Sequence, residues 1–163
     1  MKTILFMRHA KSDWSTHHQS DFDRPLNARG QRDAPMMASF LAHHHLLPEW
    51  IVSSPAMRAR LTAEFVARES RFRGQLTFDD RIYLGSPSML LSVVRDLPED
   101  TDTALLVGHN PGLEDTIALL CGGHVRMPTA AIASLRVDAD RWRDVRAGGA
   151  YLQWLVKPKI LRT

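Results

Sequence analysis

A single cysteine, Cys121, stands in the 163 residues, so an intrachain disulfide is excluded and a reducing compartment is permitted. It lies in an apolar helical pattern, where a small buried thiol is expected. No stretch approaches the 18 or so consecutive apolar residues of a membrane span. The first apolar run is broken by Arg8 after five residues, too short for the core of a signal peptide. The expectation is a cytoplasmic chain with no membrane partner. Nor is charge of one sign gathered anywhere: 21 Lys and Arg are interleaved with 18 Asp and Glu, for a net charge of +3. A nucleic-acid footprint needs a clustered basic stripe, so nucleic acid is not the expected partner, whereas mild basicity fits an anionic substrate. Internal repeats, low-complexity segments and linkers are missing as well.

What the chain does have is apolar content of 44%, with nine Gly and nine Pro, the ordinary make-up of a folded protein. A chain of this length buries about 70% of the surface its unfolded form exposes, so one domain over residues 1–163 needs no staple.

Thr3-Ile4-Leu5-Phe6-Met7 reads as a strand buried on both faces, and it runs directly into Arg8-His9. In an open α/β sheet the ligand crevice lies at the carboxyl ends of the strands. An Arg there offers a fixed fork of donors suited to phosphate, and a neutral imidazole beside it is a possible nucleophile for phosphoryl transfer. Residues 10–29 follow as a long polar loop carrying Trp14, His17, His18, Asp21, Asp23 and Arg24, and its length favours a functional role. After Gly30, helical spacing of Ala34, Met37, Ala38 and Leu41 continues to about Leu47, with Pro35 expected in the first turn.

A second strand at 50–54, a helix over 56–70, a third strand at 75–79 and a helix over 87–95 come next. Thr103-Ala104-Leu105-Leu106-Val107 is the second run that reads as buried on both faces, and it ends in Gly108-His109-Asn110-Pro111-Gly112 before another helix. Segments 133–137 and 150–156 read as an antiparallel pair at one sheet edge. The fold expected is α/β: a three-layer α/β/α sandwich with a mostly parallel central sheet and an antiparallel C-terminal edge.

Parallel strands bring Arg8-His9, the segment from Ser53 to Arg58, and Gly108-His109-Asn110 to one edge. Two Arg and two His converging there make a compact anion pocket. No one of these pieces is specific; their co-occurrence is. The sequence resembles the histidine phosphatase superfamily, and most of all its SixA-type phosphohistidine phosphatase branch. The resemblance rests on Met7-Arg8-His9-Ala10-Lys11-Ser12-Asp13-Trp14, Arg24-Pro25-Leu26-Asn27-Ala28-Arg29-Gly30, Ser53-Ser54-Pro55-Ala56-Met57-Arg58-Ala59-Arg60, Val107-Gly108-His109-Asn110-Pro111-Gly112 and Pro128-Thr129-Ala130-Ala131-Ile132-Ala133. These segments fall in family order across nearly the whole chain.

The resemblance implies that His9 is the nucleophile that becomes phosphorylated, that Arg8 and Arg58 hold the phosphate, and that His109 donates a hydrogen bond to the phosphoryl group in transfer. It implies a phosphatase acting on phosphohistidine in a protein, or alternatively on a small phosphate ester. A catalytically silent phosphoprotein-binding module is the reading from another class. No cofactor or metal is expected, because two Arg and a donor His supply charge complementarity to the phosphoryl oxygens.

Ala10 stands where the wider superfamily has glycine, which suits the SixA-type branch. The general acid that many relatives carry after the third strand has no clear counterpart. Asp80 is the nearest candidate, with an ion pair to Arg81 as its competing role. Arg24 is open between the pocket and an ion pair with Asp21 or Asp23, Arg60 is expected on the helix surface, and Trp14 is open between a lid and a loop anchor. His43-His44-His45 does not suit a metal, since adjacent helical residues diverge by about 100°. Met36-Met37 is expected in the core.

Overall fold

Alternate residues of the first strand, β1 (Lys2–Arg8), go to opposite faces of the sheet. Ile4 and Phe6 enter one apolar core and Leu5 and Met7 the other, none more than 2% exposed. The computed structural model describes residues 1–15 and 20–162, so the His17-His18 pair lies outside the described residues. Among the described residues, no helix is long and apolar enough to cross a membrane.

Beside β1 lie β2 (Trp50–Ser53), β3 (Gln75–Phe78), β4 (Thr103–Gly108), β5 (Ile132–Val137) and β6 (Ala150–Val156), in the sheet order β3-β2-β4-β1-β5-β6. The first four strands run parallel, β5 is antiparallel to β1, and β6 is antiparallel to β5. This is the mostly parallel sheet with an antiparallel C-terminal edge that the hydropathy pattern predicts.

Helices α1 (Ala28–His43) and α2 (Met57–Glu69) cover one face, packing Met37, Leu41, Ala63 and Val66 on Leu5, Met7, Leu105 and Val107. Helices α3 (Pro87–Arg95) and α4 (Gly112–Cys121) cover the other, with Leu90, Val94, Leu113 and Ile117 on Ile4, Phe6 and Leu106. The three layers follow from strands that are apolar on both sides and helices that are apolar on one.

The structure differs from the sequence reading in several places, and α1 ends at His43 rather than at about Leu47. Helix α1 starts at Ala28 rather than after Gly30, because the Asn27 side chain accepts the Gly30 N–H at 2.9 Å and caps the helix. Pro35 therefore lies inside α1, where the carbonyl of Gln31 loses its helical partner. Cys121 is only partly buried, at the last turn of α4. A short helix, α5 (Pro158–Leu161), went unforeseen; it is followed by Arg162, which pairs with the fully buried Asp33 of α1. Met37 is in the core as expected, and Met36 only partly so.

Candidate active site

Register decides what meets at the carboxyl edge. In the parallel pairing of β1 with β4, Arg8 lies opposite Gly108, and in that of β2 with β4, Ser53 lies opposite Val107. The ladder runs one residue further at each: the His9 N–H donates to the Gly108 carbonyl at 3.0 Å and the Ser54 N–H to that of Val107 at 3.0 Å. His9 and His109 consequently stand side by side, their ring centroids 5.2 Å apart, each less than 8% exposed. Arg58, in the first turn of α2, is 4% exposed.

Arg8, His9, Arg58 and His109 all line one cavity of about 250 Å³, together with Lys11, Arg24, Ser12, Trp14, Leu84, Asn110 and Thr129. Four of these side chains are cations and none is a carboxylate. The four residues that the sequence singles out are thus brought together. Arg24 fits both of its readings: it lines the cavity and pairs with Asp21 at 2.8 Å, while its guanidinium lies 3.6 Å from the centre of the exposed Trp14 ring.

Asp80 is not brought in. It is exposed at a 3₁₀ turn (Asp80–Ile82) and does not line the cavity. The ion pair foreseen for it belongs to its neighbour, since Arg81 is gripped by Asp79 at 2.7 Å and by Asp96 at 2.9 Å. Arg60 lies over the Phe78 ring on the outer surface.

Each imidazole has a definite tautomer. His9 Nδ1 is 2.7 Å from the carbonyl of Ala10, which can only accept, so Nδ1 carries the proton and Nε2 keeps a free lone pair. Burial pushes the His9 pKa down to about 3; the Ala10 bond opposes this, and the positive surroundings of His109, Arg58 and Arg8 add to it. His109 Nε2 is 2.8 Å from the buried Ser54 hydroxyl, which already accepts the Ala56 N–H. Donation from the hydroxyl to Nε2 satisfies Ser54 and leaves the proton of His109 on Nδ1. Burial, and after it Arg58, lowers the His109 pKa to about 4.

Among the described residues, the buried side-chain nitrogens with no partner are Arg8 Nε, Arg58 Nε and His109 Nδ1. All three belong to residues that line this cavity, as does the one unpartnered buried oxygen, the acceptor Asn110 Oδ1. Arg8 Nη1 donates to the Met127 carbonyl at 3.1 Å, and the two terminal nitrogens of Arg58 donate to Asp21. Both guanidinium groups are held elsewhere while Nε is left over. A buried donor with no partner costs about 1–3 kcal/mol, and three such donors beside four cationic side chains, against one acceptor, suit an anion.

Residues the sequence reading missed hold this arrangement. The Thr62 hydroxyl accepts the Ala10 N–H at 2.9 Å and donates to the Arg58 carbonyl at 2.7 Å, tying the segment after β1 to α2. Glu114 accepts from the Met127 N–H at 2.8 Å and from Asn110 at 3.2 Å, fixing the carbonyl that Arg8 uses. Thr62 lies one turn after Arg58, a spacing that could have marked it; the role of Glu114 has no local signal.

A sequence profile of the histidine phosphatase superfamily (branch 1) matches residues 4–82. An uncharacterized protein of Mycobacterium leprae is 30% identical over 159 residues, which cover 90% of this chain and 96% of that protein. The chain belongs to the histidine phosphatase superfamily. Within it the fold is of the SixA type: a candidate phosphohistidine phosphatase SixA of Agrobacterium tumefaciens matches with a TM-score of 0.83 at 26% identity, over 96% of this chain and 98% of that one. The protein histidine phosphatase SixA complexed with tungstate superposes with a TM-score of 0.85 at 24% identity, covering 98% and 99% of the two chains, a likeness of fold. Phosphoserine phosphatase 1 of Hydrogenobacter thermophilus is 31% identical over 107 residues, 61% of this chain and 49% of that enzyme. Membership of the superfamily implies a phosphorylated substrate.

Proposed function

We propose that the protein is a phosphohistidine phosphatase that works through a covalent phospho-His9 intermediate. The observation that carries this reading is the set of three unpartnered buried nitrogens, Arg8 Nε, Arg58 Nε and His109 Nδ1, around a cavity that also holds the free Nε2 of a neutral His9. Three phosphoryl oxygens are the natural acceptors for them. In the first step the substrate ring carries a proton from solvent on its other nitrogen; His9 Nε2 bonds to phosphorus as the bond from phosphorus to the substrate nitrogen breaks, and the substrate imidazole leaves neutral. In the second, water bonds to phosphorus, the bond to Nε2 breaks, and inorganic phosphate leaves with the water's oxygen. Arg8, Arg58 and His109 hold the transferring group through both steps.

The choice of a phosphorus–nitrogen bond rests on what the site lacks for other bonds. A leaving imidazole has a conjugate acid of pKa about 6.5, whereas an alkoxide resembles hydroxide, whose conjugate acid is at about 15.7. Only the second needs strong help from a general acid. Asp21 is the carboxylate that holds Arg58 and Arg24: its Oδ1 is ion-paired with Arg24 at 2.8 Å and its Oδ2 accepts hydrogen bonds from Arg58 and Tyr83. Burial works to raise its pKa, but the Tyr83 bond and the Arg58 charge outweigh that and hold it at about 2, so it has no proton to give. The same proposal takes residues 1–163 as one domain, since Phe6 and Trp142 share a core, and sets it in the cytoplasm, which a lone cysteine suits.

The test is a substrate panel. The value of kcat/KM for a phosphohistidine protein is expected to exceed that for a simple alkyl phosphate by at least ~10³, about 4 kcal/mol of barrier. Comparable rates on phosphoserine or a sugar phosphate would put a small phosphomonoester phosphatase in its place. No turnover of any phosphate donor would leave a phosphoprotein-binding module.

A further inference from the structure

The orientation of Arg58 is set by one residue. Asp21 sits in a 3₁₀ turn (Asp21–Asp23) of the polar loop after β1, and it takes both terminal nitrogens of the guanidinium: Arg58 Nη1 donates to its backbone carbonyl at 2.7 Å and Nη2 to its Oδ2 at 3.1 Å. The end of the planar fork is thereby occupied. Its flank, with Nε–H and the second Nη2–H, remains, and Nε is the buried atom without a partner. Asp21 is itself braced, its Oδ1 by Arg24 at 2.8 Å and its Oδ2 by the Tyr83 hydroxyl at 2.7 Å, so loop, α2 and the turn before Tyr83 meet on one carboxylate.

We infer that Asp21 is a positioning residue that turns the flank of Arg58 toward the phosphoryl group, and that Arg24 and Tyr83 hold Asp21 in place to do so. This deepens the proposed phosphatase reading and rests on it. Other roles are distinguishable from this one. A general acid needs a proton that Asp21 does not hold. A carboxylate that merely occupied the phosphate's place would, when removed, free the pocket, and loss of a negative charge beside Arg58 would by simple electrostatics also strengthen anion binding. Positioning predicts weaker binding despite the gain in positive field.

The experiment is a double-mutant cycle on the full chain with Asp21→Ala, Asp21→Asn, Arg58→Ala and Asp21→Ala/Arg58→Ala. It reads inhibition by inorganic vanadate and kcat/KM on a phosphohistidine peptide, with thermal unfolding as the check on folding. Hydrogen bonds to a charged partner support a ~10- to 100-fold loss for Asp21→Ala, in vanadate affinity as well as kcat/KM. Asp21→Asn, which keeps the backbone carbonyl and one neutral acceptor, is expected in between. In the Arg58→Ala background the Asp21 change should cost no more than ~2-fold, since the group it orients is gone. Tighter vanadate binding by Asp21→Ala, or an equal loss in both backgrounds, overturns the positioning role. Undiminished vanadate binding and turnover in Arg58→Ala would instead overturn the phosphatase reading on which it stands.

Discussion

Taking His9 and His109 out of water lowers their pKa values to about 3 and about 4, from an ordinary 6.5, so both imidazoles are neutral wherever the protein works. For the proposed nucleophile this means that activity needs no deprotonation near pH 6.5. It also has a consequence for stability. Between pH 6.5 and about 4 the unfolded chain binds protons at these two positions and the folded chain does not, so stability is full above 6.5 and declines as pH falls through that window. Denaturant titrations at pH 7, 5.5 and 4.5 should show the decline. It should be shallower in a His9→Asn variant, which has no imidazole to titrate at that position. An equal slope in the variant would mean that His9 titrates normally in the folded protein.

At the scale of elements, the loop after β1 is fixed by a close approach. Gly30, in the first turn of α1, lies so near the chain at Lys11 that a Cβ on it would be 2.2 Å from the Lys11 carbonyl oxygen. The Asn27 N–H also donates to that carbonyl at 3.0 Å, and Ser12 pairs with Leu26 as a short antiparallel bridge. Gly30→Ala must push backbone from backbone. A loss of ~1–3 kcal/mol in unfolding free energy is expected, together with lower activity, because the displaced segment carries Lys11 and Ser12 into the cavity. Unchanged stability by urea titration would show that the contact yields freely. Strands and long helices were legible in the sequence because burial imposes a period: β1 and β4 as unbroken apolar runs, α3 at the bounds its spacing predicts. The start of α1 was obscured because its cap, Asn27, lies within a polar loop and Pro35 suggested a later beginning. Helix α5 is too short to show any period.

For the molecule as a whole, the parallel sheet is what assembles the site, and this explains how much of it could be read in advance. Arg8 ends β1, His9 and His109 directly follow strand ends, and Arg58 lies in the first turn of the helix after a third strand, so topology alone brings them to one edge. The roles of Asp21, Thr62, Tyr83 and Glu114 depend on side-chain contacts between segments 13 to 62 residues apart, set by packing that no local pattern encodes. The same packing removed Asp80 from the cavity and left the ion pair with Arg81 to Asp79. What this assembly is proposed to do comes down to one bond, between phosphorus and His9. Rapid base quenching of turnover with a ³²P-labelled phosphoramidate, followed by peptide mapping, with acid treatment of a parallel sample, tests it most directly. The account predicts an acid-labile, base-stable adduct on His9 that forms and decays as fast as turnover and is missing from His9→Ala, while vanadate still binds that variant through Arg8 and Arg58. Label on another residue, or label retained by His9→Ala, would contradict it.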